Sequence, residues 1–255
     1  LIQANATTNV LTQQGYTPLQ LAAIHGHTPV CNVLSSIDAD KNIITSEGYS
    51  LLHLAAENGH AELCDALIQK GLCPNQPANH KQTPLHLAAK NGHTYVCHVL
   101  LQAHAQINTT DICNQTSLYL AVKHTHTETC HTLLHRSAHP DTVASGGQTA
   151  LYLAIKNEHT EMCKALLQAG ARTDTSTHDG QTLLAISIQK GHSGICKALL
   201  QANVHPDIAT EDGYTMLHLA VKNRYKGLCK ILLKAKSNPN KATHYGQTPL
   251  HFASE

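Results

Sequence analysis

The chain repeats itself every 33 residues. Thr17-Pro18-Leu19-Gln20-Leu21-Ala22-Ala23 returns as Ser50-Leu51-Leu52-His53-Leu54-Ala55-Ala56 and as Thr83-Pro84-Leu85-His86-Leu87-Ala88-Ala89. It starts again at Thr116, Thr149, Thr182, Thr215 and Thr248, with no insertion or deletion between them. A period without slippage means that each unit makes the same contact with the next. Such a chain builds a linear stack and not a core closed by distant pairings.

Each unit reads as two short helices and a connector. Thr or Ser opens the first helix as its N-cap, with Pro in the first turn where it occurs. Leu54, Ala55 and Ala56 are then the apolar stripe, and Gly59-His60 breaks the helix. A second helix is predicted over Ala61 to Gln69, with Leu63, Cys64, Leu67 and Ile68 at helical spacing. Gly71 stands where a left-handed cap wants glycine. From Leu72 to Lys81 the unit is polar and holds Pro74 and Pro77, which suits a turn or hairpin. Neither helix is long enough to be stable alone, so stacking must supply the stability.

The period, the Thr83-Pro84-Leu85-His86-Leu87-Ala88-Ala89 run and the following Lys90-Asn91-Gly92-His93 resemble the ankyrin repeat, and the resemblance covers the whole chain. It implies an all-α fold: an α-solenoid of helix-turn-helix units with hairpin fingers along one edge and a concave groove beside the first helices. Residues 1–255 read as a single array. Residues 1–14 end a truncated repeat, 15–245 hold seven full repeats, and 246–255 begin the first helix of a further one. Leu1-Ile2-Gln3-Ala4-Asn5 aligns with Leu199-Leu200-Gln201-Ala202-Asn203, and neither end carries a polar capping unit. The expectation is therefore a fragment of a longer protein.

Composition narrows the function classes. Lys+Arg number 18 against 17 Asp+Glu, for a formal net charge of +1, without the basic excess of a nucleic-acid binder. No run approaches the roughly 18 apolar residues of a transmembrane helix, and the first residues lack the pattern of a signal peptide. Nine Cys invite a metal or disulfide reading. Seven of them (Cys31, Cys64, Cys97, Cys130, Cys163, Cys196 and Cys229) share one phase of the second helix. Equivalent atoms in adjacent units of such a solenoid lie about 10 Å apart, too far for a disulfide or a shared zinc. They read as small buried hydrophobes in a reducing compartment, hence a cytoplasmic location. Cys73 and Cys113 fall outside the column, and Cys113 is the candidate reactive thiol.

Ten of the 21 His are phased with the repeat. His27, His60, His93, His126, His159 and His192 begin second helices; His53, His86, His218 and His251 follow the Thr-Pro-Leu positions. The resemblance implies structural hydrogen bonds for both sets. His131 and His135 are four apart on one helix, but no acidic or Cys ligand completes a metal site, and neither metal nor cofactor is expected.

No nucleophile–base pattern, phosphate loop or paired carboxylates appear, so the expectation is a non-enzymatic binding module. The resemblance implies that a partner protein binds the fingers and the groove-facing ends of the first helices. Carried onto this chain, those positions are Lys90 and Asn91, Lys123 and His124, Lys156 and Asn157, with Lys190 and Lys222 continuing a ladder. Asp179 and Asp212 lie at the fingertips, and Tyr49 and Tyr214 stand just before first helices. The lysines suit an acidic or phosphorylated segment, and the fingertip acids are expected to pair with some of them. Tyr favours a protein partner because it gives large contact area at low entropic cost. Lys226, Lys230 and Lys234 form a second basic face four residues apart, open to anionic lipid, nucleic acid or plain solvation. The array is expected to act as a monomer. The alternative is a targeting or regulatory arm, for example of a secreted effector, whose enzymatic or membrane domain lies elsewhere.

Three further expectations are local. Asn114, Thr125 and Glu158 replace the usual Gly, which predicts a soft middle of the stack, and Arg224 marks another soft spot. Asn75 and Asn108 occupy the hairpin position that asparaginyl hydroxylases modify in some proteins of this type.

Overall fold

The computed structural model describes residues 7–37, 40, 42–175 and 181–254. The chain divides into two compact units, Leu1–Ser145 and Gly146–Glu255. The first holds α1 (Pro18–Ile24), α2 (Thr28–Ile37), α3 (Leu51–Glu57), α4 (Ala61–Gln69), α5 (Pro84–Lys90), α6 (Thr94–Gln102), α7 (Ser117–Lys123) and α8 (Thr127–His135). The second holds α9 (Ala150–Lys156), α10 (Thr160–Gln168), α11 (Leu183–Gln189), α12 (Ser193–Gln201), α13 (Met216–Lys222), α14 (Lys226–Lys234) and α15 (Pro249–Ala253). Odd-numbered helices pack on odd ones and even on even within each unit, while each odd helix also packs on the even helix that follows it. The architecture is thus all-α, and α4 covers the residues that the periodicity predicts.

The first helices start by a shared device. In α1 the Thr17 hydroxyl accepts the Gln20 amide at 3.2 Å, and the Gln20 side chain accepts the Thr17 amide at 2.9 Å, a capping box. At α3 and α5 a histidine takes the place of that glutamine. His53 Nδ1 accepts the Ser50 amide at 3.2 Å and His86 Nδ1 the Thr83 amide at 3.1 Å. An accepting Nδ1 leaves the proton of the neutral ring on Nε2. That nitrogen donates to the Gln82 carbonyl from His53 (3.2 Å) and to the Thr109 and Gln115 carbonyls from His86 (3.0 and 3.2 Å). One ring therefore caps its own helix and holds the finger that follows. Both rings are sealed from solvent. Burial pushes His53 down to about 4 and lowers His86, although the Asp111 carboxylate opposes the shift at His86.

The core is Leu and Ala from the first helices and Leu, Ile, Val and Cys from the second. Cys31, Cys64, Cys97, Cys130, Cys163 and Cys196 are buried, and none of the nine cysteines forms a disulfide. Burial pushes the thiols of Cys64, Cys97 and Cys130 up to about 12, so they carry no thiolate at neutral pH. Cys229 departs from the expected column: it is only half-buried, on α14, which packs mainly against α12 and α13. Cys73 and Cys113 are exposed, as their phase implies.

The substituted glycine positions keep the backbone that glycine would adopt. Asn114, Thr125, Glu158 and Arg224 have φ of 55°, 66°, 68° and 59°. A residue with a Cβ is strained there, most of all a branched one such as Thr125.

Candidate interaction surface

The fingers are built by the chain itself before any partner is considered. In one finger the Thr45 amide donates to the Tyr49 carbonyl at 3.0 Å, and the Tyr49 amide returns to the Thr45 hydroxyl at 3.1 Å. Thr210 and Tyr214 repeat both bonds, and Asp111 does the same for Gln115 through its buried carboxylate. Neighbouring tips are then joined through backbone: Asn79 N to Glu47 O (2.9 Å), Ile112 N to His80 O (2.9 Å) and Ser145 N to Cys113 O (2.8 Å). In the second unit His244 N reaches Asp212 O at 3.3 Å. Asn75 and Asn108 belong to this framework. Asn75 Oδ1 accepts the Gln106 amide and its Nδ2 donates to the His104 carbonyl, while Asn108 Oδ1 accepts the His139 amide. Their signal was present in the sequence as a fixed phase of the repeat, but their bonding partners lie in the following unit.

The turns between paired helices are clasped by histidine. His60 Nε2 donates to Ile24 O at 2.8 Å, His93 to Glu57 O at 2.9 Å and His126 to Lys90 O at 3.0 Å. Each ring lies on the glycine of the preceding turn. A Cβ built on Gly26, Gly59 or Gly92 would come within 2.4–2.7 Å of the ring nitrogen. In the second unit the pattern changes. Glu158 stands at a glycine position, and its Oε1 lies 3.0 Å from His192 Nε2 and 3.2 Å from Lys190 Nζ. These hydrogen bonds hold the Glu158 carboxyl below its usual range. At the next turn Tyr225 replaces the histidine against Gly191.

Against this frame, the sequence-derived positions separate. In the first unit, Lys90 is half-buried and Lys123 and His124 are exposed. The charges of Lys123 and Lys90 both reach His124, adding to burial in pushing its imidazole down. Both lysines, from successive repeats, thus lie within electrostatic range of one imidazole. Lys123 Nζ donates to the Gln115 side chain at 3.1 Å, which steadies the ammonium without cancelling its charge. Lys90 is close enough to oppose the upward shift that burial gives Glu57. The Asn91 amide is spent on the backbone, donating to Leu87 O and Glu57 O. Tyr49 is half-buried, stacked on His53 at 5.5 Å and donating to Gln82; it is part of the finger's packing as much as of its rim.

In the second unit Lys156, Asn157, Lys190 and Lys222 are exposed. Lys190 is paired with Glu158, and Lys222 lies over the Tyr214 ring at 5.7 Å. Tyr214 also packs on Phe252 at 5.6 Å. Asp212 is exposed, and Asp179 lies outside the described residues. At Lys190 the acidic partner is the turn residue Glu158. Lys226, Lys230 and Lys234 are all exposed on α14. Among the described residues, no group of three His, Cys, Asp or Glu side chains is placed to hold a metal, and no helix is long and apolar enough to cross a membrane.

Comparison with known proteins agrees with this geometry. The family described as "Ankyrin repeats (3 copies)" matches residues 1–78, 32–111, 73–144, 118–209 and 195–255. No curated protein matches the chain. Among solved structures, the ankyrin repeat domain of Bcl-3, a member of the IkappaB protein family, aligns over 87% of this chain and 100% of its own, with a TM-score of 0.73 at 24% identity. The human ASB11 ankyrin repeat domain aligns over 88% and 100%, with a TM-score of 0.72 at 25% identity.

Proposed function

The chain belongs to the ankyrin repeat family, and from that premise we propose that it is a non-enzymatic scaffold whose first unit binds an acidic or phosphorylated segment of a partner protein. Ankyrin repeats are a general protein–protein interaction fold. The observation that supports the anionic partner is that burial of His124 and the charges of Lys123 and Lys90 all act on its imidazole in the same direction, so two ammonium groups from successive repeats share one electrostatic neighbourhood. A carboxylate or phosphate placed between two ammonium groups from a rigid frame gains charge-assisted hydrogen bonds with little ordering of the protein. Lys190 and Lys222 of the second unit fit that role less well, because Lys190 already has a carboxylate and Lys222 lies over a tyrosine ring. The buried, protonated thiols support a reducing compartment, the cytosol or nucleus.

The test is capture of partners from lysate by the wild-type chain and by Lys90→Glu/Lys123→Glu, once both are shown to melt alike. A protein retained by the first and lost from the second supports the reading. An identical set of captured proteins contradicts it. A Lys226→Glu/Lys230→Glu/Lys234→Glu chain, charge-reversed on α14, should keep the partner.

A further inference from the structure

The second helices of the second unit carry a charge pattern that those of the first do not. Lys197 lies on α12, and Lys226, Lys230 and Lys234 lie on α14, with no acidic residue in either helix. All four lysines are exposed, and among the described residues none of them is in an ion pair. Around α14 the charge continues. From residue 213 to 254 the chain holds Lys222, Arg224, Lys226, Lys230, Lys234, Lys236 and Lys241 and no Asp or Glu.

The repeat sets these charges side by side. Lys197 and Lys230 occupy the same phase on two helices that pack on each other, so their backbones lie about 10 Å apart, one helix diameter. Lys226, Lys230 and Lys234 follow one another every ~6 Å along one face of α14. Lys164 on α10 shares the phase but is ion-paired with Glu161 at 2.8 Å. In the first unit the same phase reads Asn32, Asp65, His98 and His131, without a lysine.

A second position changes with the first. The second residue of α4, α8 and α10 is Glu62, Glu128 and Glu161, an acid where the helix dipole favours one. In α12 and α14 that residue is Gly194 and Gly227. Glycine is the weakest helix former after proline. Gly194 is closely approached by Thr160, 3.1 Å from a built Cβ. Gly227 has no such reason: its φ is not positive, and a Cβ there would meet only Ser193 Oγ at 3.8 Å. The helix richest in lysine thus omits the acid that would neutralise it, against its own helical preference.

We propose that this face of α12 and α14 docks on an anionic lipid surface. Lysine is a compact, hydrated point charge on a flexible stem, suited to headgroups that move. Neither helix has an arginine, whose planar fork suits bidentate phosphate contacts, or an aromatic ring on which nucleic-acid bases would stack. Each lysine near an anionic membrane is worth about fivefold in affinity. The face is separate from Lys90 and Lys123 and does not depend on their role.

The test is co-sedimentation of the chain with vesicles of equal parts phosphatidylserine and phosphatidylcholine. Binding is expected at low salt and should disappear towards about 1 M, where the screening length is about 3 Å. Lys226→Gln/Lys230→Gln/Lys234→Gln should weaken it about a hundredfold without changing the melting temperature. Gly227→Glu supplies the missing acid and should weaken it about fivefold while melting no lower than wild type. Lys90→Glu/Lys123→Glu should bind vesicles as wild type does. No binding to these vesicles, equal binding to phosphatidylcholine alone, or undiminished binding by the triple variant would overturn the proposal. So would tighter binding of a single-stranded oligonucleotide than of the vesicles at equal phosphate and salt, which would assign the face to nucleic acid.

Discussion

In the first unit, three successive turns are closed in the same way: a histidine ring lies on a glycine and donates to a backbone carbonyl. In the second unit, one equivalent turn uses the Glu158 carboxylate and another puts Tyr225 on Gly191. The same period therefore supports two kinds of junction. A half-buried ring on a glycine donates to backbone and packs by contact, whereas a carboxylate shared by a histidine and a lysine is exposed and screened. The glycine–histidine pair also demands its exact partner, because any Cβ strikes the ring. What varies more freely is the set of ladder positions, and there the two units diverge again: Lys90 and Lys123 act on His124 in one, and Lys190 is paired with Glu158 in the other.

The sharpest way to break the comparison is through the cysteine column. Cys130→Asp places an unpaired charge in a sealed site and is expected to cost about 3–5 kcal/mol. Cys229→Asp, at the half-buried end of the same column, is expected to cost about 1–2 kcal/mol, and Cys130→Ala should be mild. Urea denaturation followed by circular dichroism measures all three; equal small effects would remove the burial argument.

Acid should act more strongly on the first unit. His53 has a folded pKa of about 4 against an ordinary value of 6.5, and burial lowers His86 in the same direction. Between those values the unfolded chain binds protons that the folded chain refuses. Stability is full above about pH 6.5 and falls as pH drops towards 4, by up to about 3 kcal/mol from His53 alone. In the second unit only His218, among the described residues, is a sealed ring at this position, and burial lowers it too. Amide hydrogen exchange at pH 7 and pH 5 should show protection falling further in the first unit. His53→Gln should flatten its response.

The clasp itself is isolated by two alanine substitutions at positive φ. Gly92→Ala has φ of +74° and meets the His126 ring, whereas Gly170→Ala has φ of +83° and meets nothing within 4 Å. The second should cost about 1 kcal/mol for backbone strain alone, the first about 2–3 kcal/mol once the ring is displaced. Equal losses in thermal melts would mean that the ring contact contributes nothing. The smallest effect is expected at Glu158→Gly, which converts the second unit's turn to the pattern of the first. It should raise the melting temperature by a few degrees at high salt and by less at low salt, where the exposed ion pair is strongest.

Much of the scaffold was legible because its determinants are local and periodic. Ser50, Leu54 and Gly71 declare caps, stripe and stop within their own unit, and the phase of Cys64 fixes its burial. Legibility ended where a partner lies a unit away. Nothing within one repeat shows that Asn75 grips the Gln106 amide or that Glu158 replaces a backbone carbonyl for His192. The lysine ladder was readable as a list but not as a surface, since the sequence does not say that Lys190 is ion-paired with Glu158 while the charges of Lys90 and Lys123 both reach His124.

The central claim is that Lys90 and Lys123 carry recognition. Lysine-directed cross-linking of the wild-type chain to its captured partner, followed by mass spectrometry of the linked peptides, tests it most directly. The expected result is that cross-links originate from Lys90 and Lys123 and reach residues beside acidic or phosphorylated positions of the partner. Cross-links confined to Lys226, Lys230 and Lys234 would place recognition on α14 and contradict the account.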